Sequence, residues 1–439
     1  MYDILTNLLA FAFALGVIIF VHEFGHLIVA KAFDVRVTAF SLGFGPRLGG
    51  FRRGETDYRV SAIPLGGYVK LGGELPDEAT GDPREFLSKP RWQRVLVYLA
   101  GPAMNVILAV VLIAVVFMAG TVIPNLPDMP AVIGGVEPGS SAAAAGLQEG
   151  DRIVAIDGKA VDNWPDVTFA LITSPGRPVA LTVDRDGRSL TATVTPVKDE
   201  KYGSGDLAGI FPRVLPSITV VERGGAAARA GLKAGDNLRA VDGRPVTDIQ
   251  EFVKYISARP GVPIVLELFR AGATVDVTVV PADVDGRGKI GVGIGFYQRY
   301  GPLQAFVQSA RYNVQIVQQT FIVLGKIFSR QLSAKSALAG PIEIAAQSGE
   351  AARTGFRYLI YLMGFISISI AIVNLLPIPI LDGGQIFILL VEGTMRRDLS
   401  MRIKEMVAQV GFVIIVLLML TVIYFDLSKN WPPGFLSGS

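Results

Sequence analysis

The chain has 439 residues, 51% of them apolar, and a mean hydropathy of +0.46, a composition that points to a membrane protein rather than an ordinary soluble one. Its net charge of +3 and pI near 8.9 are too mild, in a chain this long, to argue for nucleic-acid binding. It contains no cysteine, which excludes disulfides and thiolate metal sites, so any metal must be held by carboxylates and the chain's 2 histidines.

The first apolar run, Ile4 to about Val29, is long enough to cross a bilayer core of about 30 Å. It reads as a retained span within residues 1–33, not a signal peptide: Met-Tyr-Asp is no basic n-region, and no small-x-small cleavage site follows promptly. Both histidines of the chain fall in this run, as HEFGH. On a helix, residues four apart share a face, so His22 and His26 can bind one metal while Glu23, one step round, reaches a water on it. Ionisable groups inside a span are costly and so point to function.

Residues 34–94 form a loop in which YRVSAIPLGGYVKL, Tyr58 to Leu71, alternates with period two around Gly66-Gly67 and predicts a β-hairpin. A second span covers 95–123. Lys and Arg gather from Lys31 to Arg94 and again from Arg396 to Lys404, which places both of those loops in the cytoplasm and the termini and the long segment after about Pro124 outside.

That long segment contains a tandem duplication. AAAAGLQEGDRIVAIDGKAV, from Ala142, recurs 85 positions on as AAARAGLKAGDNLRAVDGRPV, matching Gly146 to Gly231, Asp151 to Asp236 and Asp157 to Asp242. Each copy reads as a small helix ended by glycine, a Gly-Asp turn, a strand with an Asp-Gly hairpin signal, a second helix (Asp166 to Thr173; Asp248 to Ser257) and alternating strands. These segments, 127–198 and 214–284, resemble bacterial PDZ domains, which bind extended peptides by adding a strand. Over 300–330, apolar residues from Leu303 to Leu324 recur at steps of three and four; the stripe suits a helix on the membrane surface and equally one packed against protein.

A third span, within 356–384, ends in NLLPIPILDGG, and a fourth covers 406–425. Two histidines leave zinc short of a third protein ligand, and Asp382 is the acidic residue that closes another span. Spans one and three run parallel in this topology, so His22, His26 and Asp382 come to similar depth; Asp34 lies past the metal's turn on the first helix.

HEFGH, the AGPAMN stretch with Gly101 and Asn105, the tandem repeats and NLLPIPILDGG together resemble the site-2 protease family of intramembrane zinc metalloproteases, over nearly the whole chain. The resemblance implies a four-span α-helical membrane protein with two α/β PDZ domains and a small membrane-associated β-hairpin. It also implies a Zn2+ cofactor and single-span substrates of the anti-sigma factor and remnant signal peptide type. Gly43, Phe44 and Gly45 are similar to the family's glycine-flanked loop, Gly67 and Tyr68 lie in its hairpin, and Asn374 is similar to its substrate-contacting or helix-supporting asparagine; these are expected to meet substrate in an inner-membrane site. A membrane-anchored PDZ scaffold with a structural metal is the rival reading, but such sites are closed by four ligands and are usually rich in cysteine. A transporter is the other, although transporters tend to have more spans and inverted repeats.

Overall fold

The computed structural model describes residues 2–430 apart from 76–77, 79, 123–128, 199–203, 213–215, 223, 247–248, 271–272, 285 and 296. Pro124, Asp248 and the expected domain starts at 127 and 214 lie outside the described residues. Among the described residues, four helices are long and apolar enough to cross a membrane: Ile4–Ala32, Arg91–Ala119, Phe356–Asn374 and Arg402–Ser428. The chain divides into two compact units, one of Met1–Val116, Ser309–Thr320 and Leu338–Ser439, the other of Phe117–Gln308 and Phe321–Ala337.

In the first unit, Ala10, Ala14 and Ile18 of the first span pack on Leu359, Met363 and Ile366 of the third. Small residues on one side let the two backbones approach. The third span stops at Asn374, before the end of the apolar stretch NLLPIPIL in which it is expected to finish, because Pro377 and Pro379 cannot continue a helix. Asp382 then opens a further helix, Asp382–Met395. Another helix that periodicity did not reveal, Pro341–Thr354, packs against the first span. Its N-terminus is capped from a distance by the fully buried Asp426, which accepts N–H bonds from Gly340 (2.9 Å), Ile342 (3.0 Å) and Glu343 (3.1 Å). A carboxylate there satisfies orphan amides and the positive end of the helix dipole together.

The expected hairpin takes a different form. Tyr58 to Leu71 does not pair with itself; it belongs to the strand Thr56–Leu71, which pairs with Val37–Arg53. Residues 39–42 have a neighbour on each side, with Phe40 opposite both Val69 and Tyr58 and Leu42 opposite both Gly67 and Val60. Gly66 has φ of +126° and carries the Phe44 ring where a Cβ would stand, so the Gly-Gly pair bends the strand around its partner rather than making a two-residue turn.

In the second unit the duplication is repeated in strand order. The first copy orders Lys159–Ala160, Arg152–Ile156, Val179–Arg185 and Arg188–Val194; the second orders Arg244–Pro245, Asn237–Val241, Ile264–Arg270 and Ala273–Val279. Each copy also uses a later strand than the expected boundaries include: Ile210–Pro212 pairs Ile133–Val136, and Val292–Gly295 pairs Ser217–Val221.

One lock recurs in both. Arg185 grips Asp151 through two bonds of 2.6 and 2.7 Å and donates to Gly146 O at 2.8 Å, and Arg270 grips Asp236 through two of 2.6 Å and donates to Gly231 O at 3.0 Å. Burial alone would raise the Asp151 carboxyl, but Arg185 and the Gln148 amide hold it below the usual carboxylate range. The lock is therefore closed at neutral pH, and its contribution is lost as pH falls through that depressed value. Arg185→Leu is expected to destabilise the first copy by about 3–5 kcal/mol, since it strands a buried charge. Denaturant unfolding followed through the buried Trp164 checks this, and an unmoved midpoint would refute it.

The helix Pro302–Phe328 is present as expected, but its buried positions include Ala305, Gln308, Ser309, Asn313 and Ile316, while Leu303, Phe306, Val307, Val314 and Phe321 of the apolar stripe remain exposed. In the first unit, Ile316, with Tyr312 and Val317, packs on Ala109, Ile368 and Ile372, and Ser309 donates to Val110 O at 2.7 Å.

Candidate metal centre

The first-span helix runs unbroken through the HEFGH stretch and presents His22 and His26 on one face. Its close partner is the second span. A Cβ at Gly25 would lie 2.4 Å from Ala100 O, so the two backbones touch where a larger residue would part them. His26 Nδ1 stands 2.8 Å from Val97 O, and a carbonyl can only accept, so the proton sits on Nδ1 and Nε2 keeps its lone pair.

Asp382 arrives from the loop after the third span. A Cβ at Gly383 would stand 2.3 Å from Leu375 O, and one at Gly384 2.1 Å from Ile378 O. The two glycines therefore do more than loosen a turn: they let the new helix start directly against the backbone of the proline-broken segment, which carries Asp382 back to the histidines. Gln385 fastens this segment with a 2.6 Å bond from Nε2 to Pro379 O.

The three side chains converge, and they are 10%, 12% and 15% exposed. His22 Nε2 lies 3.2 Å from His26 Nε2 and 3.1 Å from Asp382 Oδ2, and His26 Nε2 lies 3.6 Å from Asp382 Oδ1. A tetrahedral zinc with bonds of about 2.0–2.1 Å separates its ligand atoms by about 3.3 Å, so these atoms stand at ligand spacing. Among the described residues this is the one group of His, Cys, Asp and Glu able to hold a metal. Three ligands, two imidazoles and a carboxylate, fit zinc with a position left open.

The group opens on a cavity of about 710 Å³, whose lining includes Glu23, Phe44, Gly67, Tyr68 and Asn374. Of the residues expected to meet substrate, those four besides Glu23 reach it; Gly43 and Gly45 lie in the strand Val37–Arg53 at φ of +92° and +83° and are not among its lining residues. Gly67 is pressed against the catalytic candidate, since a Cβ there would lie 3.2 Å from Glu23 Cγ and 2.8 Å from Ser41 O. Glu74 and Tyr98 also line the cavity and were not singled out in the sequence, where nothing in their spacing marks them. Burial pushes the Glu74 carboxyl up, with the charges of Glu78 and Glu23 adding to the rise, while the Leu71 amide and Lys70 oppose it.

A helical membrane unit carrying a two-histidine, one-carboxylate centre beside a glutamate defines a membrane metallopeptidase in form. The family model of peptidase family M50 matches residues 10–418, and the chain belongs to that family, the site-2 proteases. It is 33% identical over 457 residues to the regulator of sigma-E protease RseP of Salmonella typhimurium, covering 98% of this chain and 100% of that one. It is 32% identical over 460 residues to the RseP of Escherichia coli, again covering 98% and 100%.

Proposed function

We propose that this zinc metalloprotease hydrolyses peptide bonds within or beside the membrane spans of single-span proteins, at the centre formed by His22, His26, Asp382 and Glu23. The observation that carries the reading is the convergence of three ligand atoms at zinc spacing, next to Glu23, in a cavity walled by a strand edge. When bound, zinc supplies Lewis acidity, making a water acidic enough to attack near neutral pH and polarising the scissile carbonyl. Glu23 takes the attacking water's proton and returns it to the leaving amine. The Val69 amide faces the Glu23 carboxylate, and Gly67 packs against its stem, which keeps the base turned to the cavity.

A helical substrate hides its carbonyls in its own hydrogen bonds and must unwind to be cut. Residues 67–69 lie along the cavity, where an extended segment can add as a neighbouring strand. Asn374, at the end of the third span, offers a carboxamide to the same segment. The two repeats then act as PDZ domains on the outer side of the inner membrane, admitting substrates already trimmed of bulky domains. The substrate class we assign is the one the family resemblance implies, anti-sigma factors with remnant signal peptides as a second; the Salmonella and Escherichia relatives are named regulator of sigma-E protease, and the lipid bilayer is the enzyme's medium.

The test is cleavage of a single-span substrate by the purified protein in detergent, with and without a chelator. Cleavage that stops with chelator and returns with added zinc is the expected result. Uncut substrate despite a filled metal centre would favour a scaffold with a structural metal.

A further inference from the structure

Asn105 is fully buried on the second span, and its carboxamide lies 3.2 Å from His22 Nδ1. The other end of that carboxamide is buried with no hydrogen-bond partner. A carboxamide buried with one bond is a costly way to fill space, and a leucine would pack there without the desolvation penalty. Packing therefore does not account for an asparagine at this position, and its partner does.

His22 turns Nε2 toward His26 and Asp382, so the lone pair belongs on Nε2 and the proton on Nδ1. A protonated Nδ1 needs an acceptor. The two ends of a carboxamide are nearly the same size, and the chemistry of the ring decides which faces it: the carbonyl oxygen. The second span thus serves both rings at one helical spacing. Val97 offers a main-chain carbonyl to His26, Gly101 leaves the gap in front of the two Nε2 atoms, and Asn105 brings its carboxamide to His22 Nδ1. Positions 97, 101 and 105 share one face because they are four apart.

We propose that Asn105 is a positioning residue of the metal centre, its side-chain carbonyl accepting from His22 Nδ1–H and so fixing the ring with Nε2 free for the metal. This rests on the metalloprotease reading above. Partners of this kind hold ligand rings in orientation, and their loss typically costs about 10–100-fold in metal affinity.

The experiment compares full-length wild type, Asn105→Leu and Asn105→Asp in detergent. Zinc affinity is measured by competition with a chromogenic chelator, the visible spectrum is taken of the cobalt-substituted forms, and the metal-free proteins are melted. Asn105→Leu is expected to bind zinc about 10–100-fold more weakly and to shift the cobalt spectrum, while Asn105→Asp, which keeps an acceptor, returns to within a few-fold of wild type. Zinc affinity in Asn105→Leu equal to wild type would overturn the proposal, as would equal loss in both variants. If Asn105→Leu does not fold, the aspartate variant decides alone: retained affinity and cobalt spectrum support the acceptor role, and their loss removes it. Wild type that binds no zinc removes the metal reading itself, a result distinct from all of these.

Discussion

Glu23→Gln is expected to lower turnover of a single-span substrate by at least about 100-fold, and by as much as about 10⁴-fold, while the protein retains its metal. The amide keeps the size of the side chain and its place against Gly67 but cannot accept the water's proton. Glu23 is not among the three atoms at ligand spacing, so removing its charge leaves the centre intact. Metal content and product fragments, measured on wild type and variant together, separate a lost base from a lost site. A variant that cuts as fast as wild type would mean that Glu23 is not the base. One that loses metal as well would place Glu23 in the ligand set.

The second large effect is expected at a residue that does no chemistry. A Cβ at Gly101 would stand 2.4 Å from His26 Nε2 and 2.7 Å from His22 Nε2, so Gly101→Ala drives a methyl group into the two nitrogen atoms that would hold the metal. Alanine is the better helix former by about 1 kcal/mol, so propensity does not oppose the change, and the histidine rings are what must give way. The variant should fold, purify without bound metal, and show no activity even with zinc in excess. Metal analysis beside a thermal melt checks this. Gly101→Ala carrying metal at wild-type stoichiometry with wild-type turnover would mean that the metal lies on another side of the rings.

Much of this centre was legible in the chain. Two histidines four apart on a helix with a glutamate between them, no cysteine, and one aspartate closing another span leave few ways to complete a metal site. The four spans could be read because bilayer thickness sets a minimum length that few soluble segments match. The third was drawn too long because apolarity continues through Leu375–Leu381 while the prolines end the helix. The form of the sheet was hidden, since period-two alternation reports a strand and not its partner, and Val37–Arg53 is interrupted by glycines that weaken the signal. Pro341–Thr354 escaped because its cap comes from Asp426, a residue far along the chain that no local motif announces. The apolar stripe of Pro302–Phe328 drew attention to one face, yet Gln308, Ser309 and Asn313 are the ones turned inward. Asn105 was visible only as part of a family pattern, because its meaning depends on which atom of His22 it faces.

The arginine-aspartate locks of the two repeats carry a consequence of their own. Arg185, Asp151 and Gly146 all belong to the first copy, and Arg270, Asp236 and Gly231 to the second, so neither lock borrows a group from the other. Each copy closes its own turn with its own charges, and a lesion in one leaves the other's pairing whole. Duplication of such a self-contained segment adds a complete module at once, and either copy can change without its twin having to be refitted.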